Sequence, residues 1–257
     1  MEILRFTLSG KNAFFKKPEV NSYIYFTYGN IHKVALLGLF GAVLGYDGYT
    51  QIQNFAKSKK NDTISQSYPE FYYLLKDLKI SILPVRDKGL ISKKIQTYNN
   101  SVGYASKELG GNLVVKEQWL ENPAWEICVL IDCDEAEDVK KAICGRTCVY
   151  YPYLGKNDHP ANIENVRVEN AHEAAFDMGR LDCLAPKEMI DFVDEDDLDM
   201  DMDEAVPDFK YIEALPYALD GWTNNYILKT FVYSDAFVTV NNMKVYQLSD
   251  DKKIVFY

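Results

Sequence analysis

A histidine and a lysine stand side by side at the start of a strongly apolar segment, where they could bind an anion. The segment predicts a helix from about Asn30 to about Tyr46, with Asn30 as its N-cap and His32 and Lys33 in its first turn. A first turn disfavours cations but offers free backbone N–H groups to an anion. We therefore predict a phosphate held by these amides, His32 and Lys33. A solvated surface pair is the alternative.

Two further clusters combine cations with aromatic rings or with a glycine. Lys11, Lys16 and Lys17 flank Phe14 and Phe15, and Tyr28 follows shortly before the helix. Later in the chain comes a loop whose candidate residues are Gly155, Lys156, Asn157 and His159. Its glycine permits a positive φ and a close approach of backbone, and its polar side chains suit phosphate or ribose. The loop lacks the Walker pattern, and a structural turn is the alternative.

Another cluster lies between Lys93 and Lys116, where two strand-like segments bracket a glycine-bounded turn. Its candidate binding residues are Lys93, Lys94, Gln96, Tyr98, Asn99 and Lys107. Amines can follow phosphates while rings stack on bases, so this composition suits single-stranded nucleic acid. A solvated hairpin with ordinary surface lysines has the same composition.

Metal-free RNA cleavage is the catalytic alternative, because it needs a general acid and base near a ribose hydroxyl. The plausible set is Tyr28, His32, Lys33 and His159. These residue types suit phosphate binding equally well, so the sequence favours binding over catalysis.

No metal or cofactor is expected. The five cysteines are spaced unlike a zinc site and, without a secretion signal, predict reduced thiols. The acidic run Asp191–Glu204 has Met202 and Asp208 where a calcium-binding EF-hand loop needs Gly and Glu. We interpret this run as a solvated linker, or as a docking strip for a basic partner.

The elements that must position these residues alternate between strand and helix. Strands are expected at 2–9, 79–85, 125–132 and 147–155, and helices at about 30–46, 68–78 and 135–145. This order predicts an α+β fold, a ferredoxin-like βαββαβ domain over 1–176 with a projecting thumb at about 86–118. An acidic linker at 177–209 and a β-rich extension at 210–257 follow, with a hairpin around Asn241 and Asn242.

The charge is unevenly distributed. The net charge is −10, but residues 1–120 carry +7 and residues 121–257 carry −17. An acidic total therefore does not exclude a nucleic-acid partner for the first half. The apolar segment Val34–Gly45 is shorter than the roughly 20 residues of a membrane span. Because the start of the chain also lacks a signal-peptide pattern, we expect a cytoplasmic protein without a membrane partner.

Several separate blocks resemble the fifth Cas protein family of CRISPR systems in its type I-B form. They are MEILRFTLSG, AFFKKPEVNSYIYFTYGN, IHKVALLGLFGAVLG, KKIQTYNNSVGYASKELGGNLVVKEQWLENPAW and PYLGKNDHPANI, within residues 1–175. The resemblance implies a RAMP protein with a ferredoxin-like, RRM-like RNA-binding domain, a thumb and a β-rich C-terminal part.

The resemblance also implies a role in antiviral defence. Such a protein caps the foot of the Cascade complex, holds the 5′ handle of the crRNA, and contacts the backbone subunit and the large subunit. Such a protein would contact target DNA only indirectly, through the complex. The handle would bind at Tyr28–Lys33, the nearby lysines and Gly155–His159. Type I-C relatives cut the repeat, so a metal-independent endoribonuclease is one alternative. A structural assembly subunit with mainly protein contacts is another.

Overall fold

The computed structural model describes residues 1–19, 23–52, 68–101, 103, 107–193 and 207–257. Its α-helices are α1 (Lys33–Leu44), α2 (Glu70–Leu75) and α3 (Asp134–Cys144). Its strands are β1 (Glu2–Ser9), β2 (Asn12–Ala13), β3 (Ile80–Pro84), β4 (Lys93–Asn99), β5 (Val114–Glu121), β6 (Ala124–Leu130), β7 (Asn162–Asn170), β8 (His172–Glu173), β9 (Ala185–Pro186), β10 (Ile190–Phe192), β11 (Lys210–Leu219), β12 (Tyr226–Ser234), β13 (Val238–Val240), β14 (Val245–Gln247) and β15 (Lys253–Val255). Strands dominate, and the predicted α+β class is confirmed.

The main sheet has the strand order β3-β6-β1-β7, and all its neighbouring strands are antiparallel. Along the chain its elements follow the order β1, α1, β3, β6, α3, β7. Residues of β1 alternate between the two faces, so Leu4, Phe6 and Leu8 share one face. On this face the Phe6 ring meets Phe40 of α1, with centroids 6.3 Å apart. The alternation in β1 thus builds the core between sheet and helix.

The other face of β1 carries a buried cation. Arg5 is fully buried, and its guanidinium donates to three carboxylates: Glu126 of β6, Glu169 of β7 and Asp250 of the β14–β15 turn. The donor–acceptor distances lie between 2.7 and 3.2 Å. Lys252 of the same turn also donates to Glu126, at 2.6 Å. This charge network joins the C-terminal part of the chain to the middle of the main sheet.

Small residues on α1 allow a second helix to pack closely. A Cβ atom at Gly41 would lie 2.4 Å from the Cβ of Phe71 in α2, so only glycine fits there. The helix ends at Leu44, where Gly45 is the left-handed C-cap with φ 82°. The stripe of small residues is therefore a packing surface for α2.

The predicted strand 147–155 is not part of the main sheet, whose fourth strand is β7. Thr147 donates its backbone N–H to Ala142 O, while Val149 and Tyr150 donate to Val43 O and Ala42 O. These N–H groups donate to carbonyl groups in the last turns of α3 and α1, where the helical hydrogen-bond pattern ends. The prediction was wrong because the segment caps two helices instead of pairing with β1.

The two strand segments predicted between Lys93 and Lys116 pair with each other as a hairpin. Strands β4 and β5 pair in register and, with β2, make a three-stranded sheet. Lys94, Gln96 and Tyr98 of β4 lie on the same face as their partners Trp119, Glu117 and Val115. Val102 and residues 104–106 of the turn lie outside the described residues.

The C-terminal part is continuous with the core. Three small sheets have the orders β11-β12-β9, β10-β13 and β15-β14-β8, and the backbone of Tyr257 exchanges two hydrogen bonds with Ile80. Leu184 and Ala185, in the segment predicted to be a linker, are buried. The hairpin predicted around Asn242 was wrong, because β13 pairs with β10 while β14 pairs with β15 and β8. Residues 194–206, most of the acidic run, lie outside the described residues.

No helix among the described residues is long and apolar enough to cross a membrane.

Replacing Arg5 should destabilise the fold strongly. In Arg5→Met the three carboxylates would face each other without their shared donor, and removal of one member of a buried ion pair costs about 3–5 kcal/mol. Urea unfolding at pH 7 measures this loss. Lys141→Met removes a lysine that only pairs with Asp138 on the surface of α3, and it should change stability by less than about 1 kcal/mol.

The same network predicts a loss of stability in acid. Burial raises the pKa of Glu126, but hydrogen bonds from Arg5 and Lys252 outweigh it and lower this pKa from 4.5 to about 2. A carboxylate with a lowered pKa stabilises the folded state above its unfolded pKa, and this contribution is lost as pH falls from about 4.5 towards 2. Stability of the natural protein should fall over this interval, and that of Arg5→Met should fall less. Equal slopes would contradict the role assigned to Arg5.

Candidate nucleic-acid interface

An open groove runs along α1 and is lined mainly by aromatic side chains. It encloses about 600 Å³. We call it the aromatic groove, and its rings come from Phe14, Phe15, His32, Tyr46, Tyr49, Phe71, Tyr150, Tyr153 and Tyr226. The charged residues of its lining are Lys16 and Asp47, and Gly38, Gly41, Ala42 and Gly155 line it as well. The groove therefore offers flat apolar surfaces beside a cation.

His32 lies in this groove as a neutral residue. It is the N-cap of α1, and its Nδ1 accepts a hydrogen bond from the N–H of Ala35 at 3.2 Å. The ring is 3 % exposed and makes edge contacts with Phe15, Tyr28 and Tyr226. Burial lowers the pKa of His32 to about 3. The predicted phosphate contact by a cationic imidazole does not fit this neutral, enclosed ring.

Asn30 was wrongly predicted as the N-cap, because its side chain is used elsewhere. Its Nδ2 donates to Gly89 O at 3.0 Å, and its Oδ1 accepts from Nε1 of Trp125 at 2.9 Å. Asn30 is fully buried. The neighbouring Tyr28 is buried too, and its hydroxyl has no hydrogen-bond partner among the described residues. The helix start is thus fastened to the core, and Tyr28 and Asn30 contribute packing there.

Lys33 faces away from the aromatic groove. Its ammonium lies 5.2 Å from the centre of the Tyr217 ring, in a separate cavity beside β11. The structure therefore separates the two members of the predicted His32–Lys33 anion site.

A second polar cluster lies at the base of the hairpin and is centred on Glu117. This carboxylate accepts hydrogen bonds from the hydroxyl of Tyr98, the indole of Trp119 and the ammonium of Lys156, at 2.7, 2.7 and 2.9 Å. Burial raises the pKa of Glu117, but these three donors outweigh it and lower that pKa. We call Tyr98, Glu117, Trp119, Lys156 and His159 the thumb-base cluster.

His159 completes this cluster through its contact with Trp119. The two rings meet edge to face, with centroids 4.4 Å apart. His159 is 3 % exposed, and neither of its ring nitrogens has a hydrogen-bond partner among the described residues. Burial lowers its pKa. The cluster thus holds a lysine whose charge is balanced by Glu117, a neutral imidazole and two aromatic rings.

The remaining predicted residues are spread over the hairpin and its base. Lys16 lies 4.0 Å above the Tyr25 ring, while Lys17 and Lys94 form ion pairs with Glu213 and Glu121. The amide of Gln96 donates to the neighbouring Thr97 carbonyl. The exposed members are Lys11, Lys16, Lys93, Asn99, Lys107 and Asn157. The structure thus does not bring the predicted residues together in one site: His32, Lys16 and Gly155 line the groove, others lie on the hairpin or at its base, and Lys33 lies in a separate cavity.

Several residues of these surfaces were missed by reading the sequence for charge. Glu117 and Trp119 alternate along β5 on the same face of the hairpin as Tyr98, and that period of two was a usable signal. Tyr226 lies far along the chain, and no local pattern joins it to α1.

Neither a protein-family model nor a curated protein matches this sequence. Solved structures do match. A chain of a CRISPR RNA-guided surveillance complex superposes with a TM-score of 0.51 at 12 % identity, covering 91 % of this chain and 90 % of that one. A CRISPR protein from Archaeoglobus fulgidus gives 0.48 at 10 % identity, covering 99 % and 98 %. A chain of a type III-B Cmr-beta structure bound to cognate target RNA and AMPPnP gives 0.48 at 12 %, covering 93 % and 86 %.

These findings define the class of fold. The chain is an α+β protein that shares its fold, over nine tenths of both chains, with a chain of a CRISPR RNA-guided surveillance complex.

Any side chain at Gly155, which lines the groove, should destabilise the fold. Its φ is +84°, and a Cβ atom there would lie 2.0 Å from the carbonyl oxygen of Phe14. Gly155→Ala should therefore cost more than the about 1–2 kcal/mol of a left-handed residue. Gly110→Ala is the matched control, since Gly110 has φ +76° and nothing within 4 Å of its Cβ position. Urea unfolding of both variants measures the difference, and equal losses would show that the contact with Phe14 is unimportant.

Proposed function

We propose that this protein is a non-catalytic RNA-binding subunit of a type I-B CRISPR surveillance complex, a member of the fifth Cas family that holds the 5′ handle of the crRNA. The fold shared with a chain of a CRISPR RNA-guided surveillance complex supports a role in CRISPR defence. The observation that carries the RNA-binding role is the aromatic groove, whose lining includes the cation Lys16.

We also propose that the main sheet and its helices are a ferredoxin-like unit of the RAMP type. The strand order β3-β6-β1-β7 and the chain order β1, α1, β3, β6, α3, β7 support this assignment. In such a unit the hairpin β4–β5 would be the thumb.

Single-stranded RNA fits the aromatic groove better than a duplex does. Unpaired bases can stack on aromatic side chains, whereas the paired bases of an A-form helix are shielded from them. Stacking needs flat apolar surfaces, and rings of the groove come from the α1 N-terminus, the Tyr46–Tyr49 turn and the Tyr150–Tyr153 loop. Lys16 and the exposed Lys11 would meet the phosphates. The more acidic second half of the chain would face the backbone and large subunits of the complex.

Removing one groove ring should weaken RNA binding. Loss of base stacking costs about 1–3 kcal/mol per base, so Tyr153→Ala should weaken binding of single-stranded repeat RNA by at least about fivefold. Tyr151→Ala is the control, because Tyr151 is 89 % exposed and does not line the groove. Fluorescence anisotropy with RNA copied from the CRISPR repeat of the host measures both. Equal affinities of the two variants would place the RNA elsewhere.

Salt dependence separates RNA binding from a purely structural assembly role. Contacts with four to six phosphates predict a slope of log K against log salt of about −3 to −4 for a single strand, and Lys16→Glu should make it shallower. Lys141→Glu, with the same charge change on α3, should leave the slope unchanged. A slope near zero in the natural protein would favour the assembly role, since an apolar protein interface responds little to salt.

The thumb-base cluster favours one second candidate function, which is metal-independent cleavage of the CRISPR repeat. The ammonium of Lys156 lies 3.3 Å from the hydroxyl of Tyr98, and His159 shares Trp119 as a neighbour. These are residue types that can transfer protons. Glu117 neutralises Lys156, however, which supports the non-catalytic proposal. Repeat RNA incubated with the protein in EDTA should stay intact. A discrete cut that disappears in Tyr98→Phe would establish the enzyme instead.

A further inference from the structure

A second cavity, which shares no residue with the aromatic groove, opens beside β11 and β12. It encloses about 470 Å³ and is lined by residues of α1, α2, β11 and the C-terminus. We call it the Lys33 cavity. This volume lies within the range of about 300–1,000 Å³ that small-molecule sites occupy.

Lys33 is the cation of this cavity that lacks a counter-charge. Three other lysines line it, and each forms an ion pair: Lys76 with Asp77, Lys79 with Asp132 and Lys229 with Glu188. Lys33 is 7 % exposed and forms no ion pair with a described residue. One positive charge is therefore left over, and it lies at the most enclosed of the four positions.

Burial of this ammonium is unfavourable without an anion. Burial, followed by Lys229 and Lys76, lowers the pKa of Lys33 to about 8, although Asp77 acts in the opposite direction. The Tyr217 ring compensates in part, because its centre lies 5.2 Å from the Lys33 ammonium and 4.4 Å from that of Lys229.

The rest of the lining is mainly apolar. It includes Pro186, Met189, Tyr217, Met243 and Phe256. Methionine side chains adapt to ligands of irregular shape, and aromatic rings offer flat contact surfaces. A polar end at Lys33 and an apolar floor together favour a ligand with one charged end and one apolar body.

We propose that the Lys33 cavity binds a small monoanionic carboxylate with an aromatic or aliphatic body. Its carboxylate would accept hydrogen bonds from the Lys33 ammonium, and its body would lie against Tyr217, Met189 and Met243. A single negative charge matches the single uncompensated lysine. This inference does not rest on RNA binding, because the groove and the cavity have separate linings.

Methionine methyl groups allow a direct test with benzoate as the probe. In protein labelled with ¹³C at the methionine methyls, benzoate should shift the signals of Met189 and Met243 and leave that of the exposed Met178 unchanged. We expect a dissociation constant on the order of 1 mM, as is usual for a ligand of this size. Benzyl alcohol, the neutral analogue, should bind at least tenfold more weakly than benzoate.

Variants distinguish the buried lysine from its paired neighbours. Lys33→Met keeps the length of the side chain and removes an unpaired buried charge, a change that seldom destabilises a fold. It should weaken benzoate binding at least tenfold, whereas Lys79→Met should change it less than threefold. The proposal is overturned by unchanged binding in Lys33→Met, by equal binding of benzyl alcohol, or by an absence of shifts at Met189 and Met243. Tighter binding of phenyl phosphate than of benzoate would overturn the assignment to a carboxylate.

Discussion

The guanidinium of Arg5 is the interaction on which the arrangement of the sheet and the C-terminal part depends. It uses all five of its N–H donors on carboxylates from two neighbouring strands and from the β14–β15 turn. Arg167 and Lys252 also pair with Glu126, so three cations balance three carboxylates. Burial of these charged groups is tolerated because every N–H donor of Arg5 has an acceptor and the positive and negative charges cancel.

This network has a consequence for where a ligand can bind. It occupies the sheet face opposite α1, and the C-terminal turn closes over it, so the middle of that face holds no free cation among the described residues. The two cavities proposed to bind ligands lie instead beside α1. The aromatic groove is on one side of the α1 N-terminus and the Lys33 cavity is on the other. The buried bonds of Asn30 and the cap by His32 hold that N-terminus in place between them.

Local patterns predicted the elements whose side chains alternate or repeat clearly. The alternation of Leu4, Phe6 and Leu8 indicated β1, and the strands of the hairpin were recognisable by their period of two. The prediction failed where backbone groups find partners outside the local sequence. Val149 and Tyr150 have strand-forming side chains, but their N–H groups donate to carbonyls of α1. β13 and β14 flank a turn yet do not pair with each other: β13 pairs with β10, and β14 pairs with β15 and β8.

The sequence by itself determined the residue types at the functional surfaces and the basic first half of the chain. It also places a glycine at 155, where the backbone has a positive φ and lies too close to Phe14 for a side chain. Only the tertiary structure decided which of these residues act together. His32 and Lys33 are adjacent in sequence, but His32 is the extended N-cap of α1 and Lys33 is its first helical residue, so their side chains point to different sides of the helix start. One is therefore enclosed among rings as a neutral cap, and the other remains charged in a different cavity. Burial and partners, which no local pattern encodes, set the charge and the accessibility of each group.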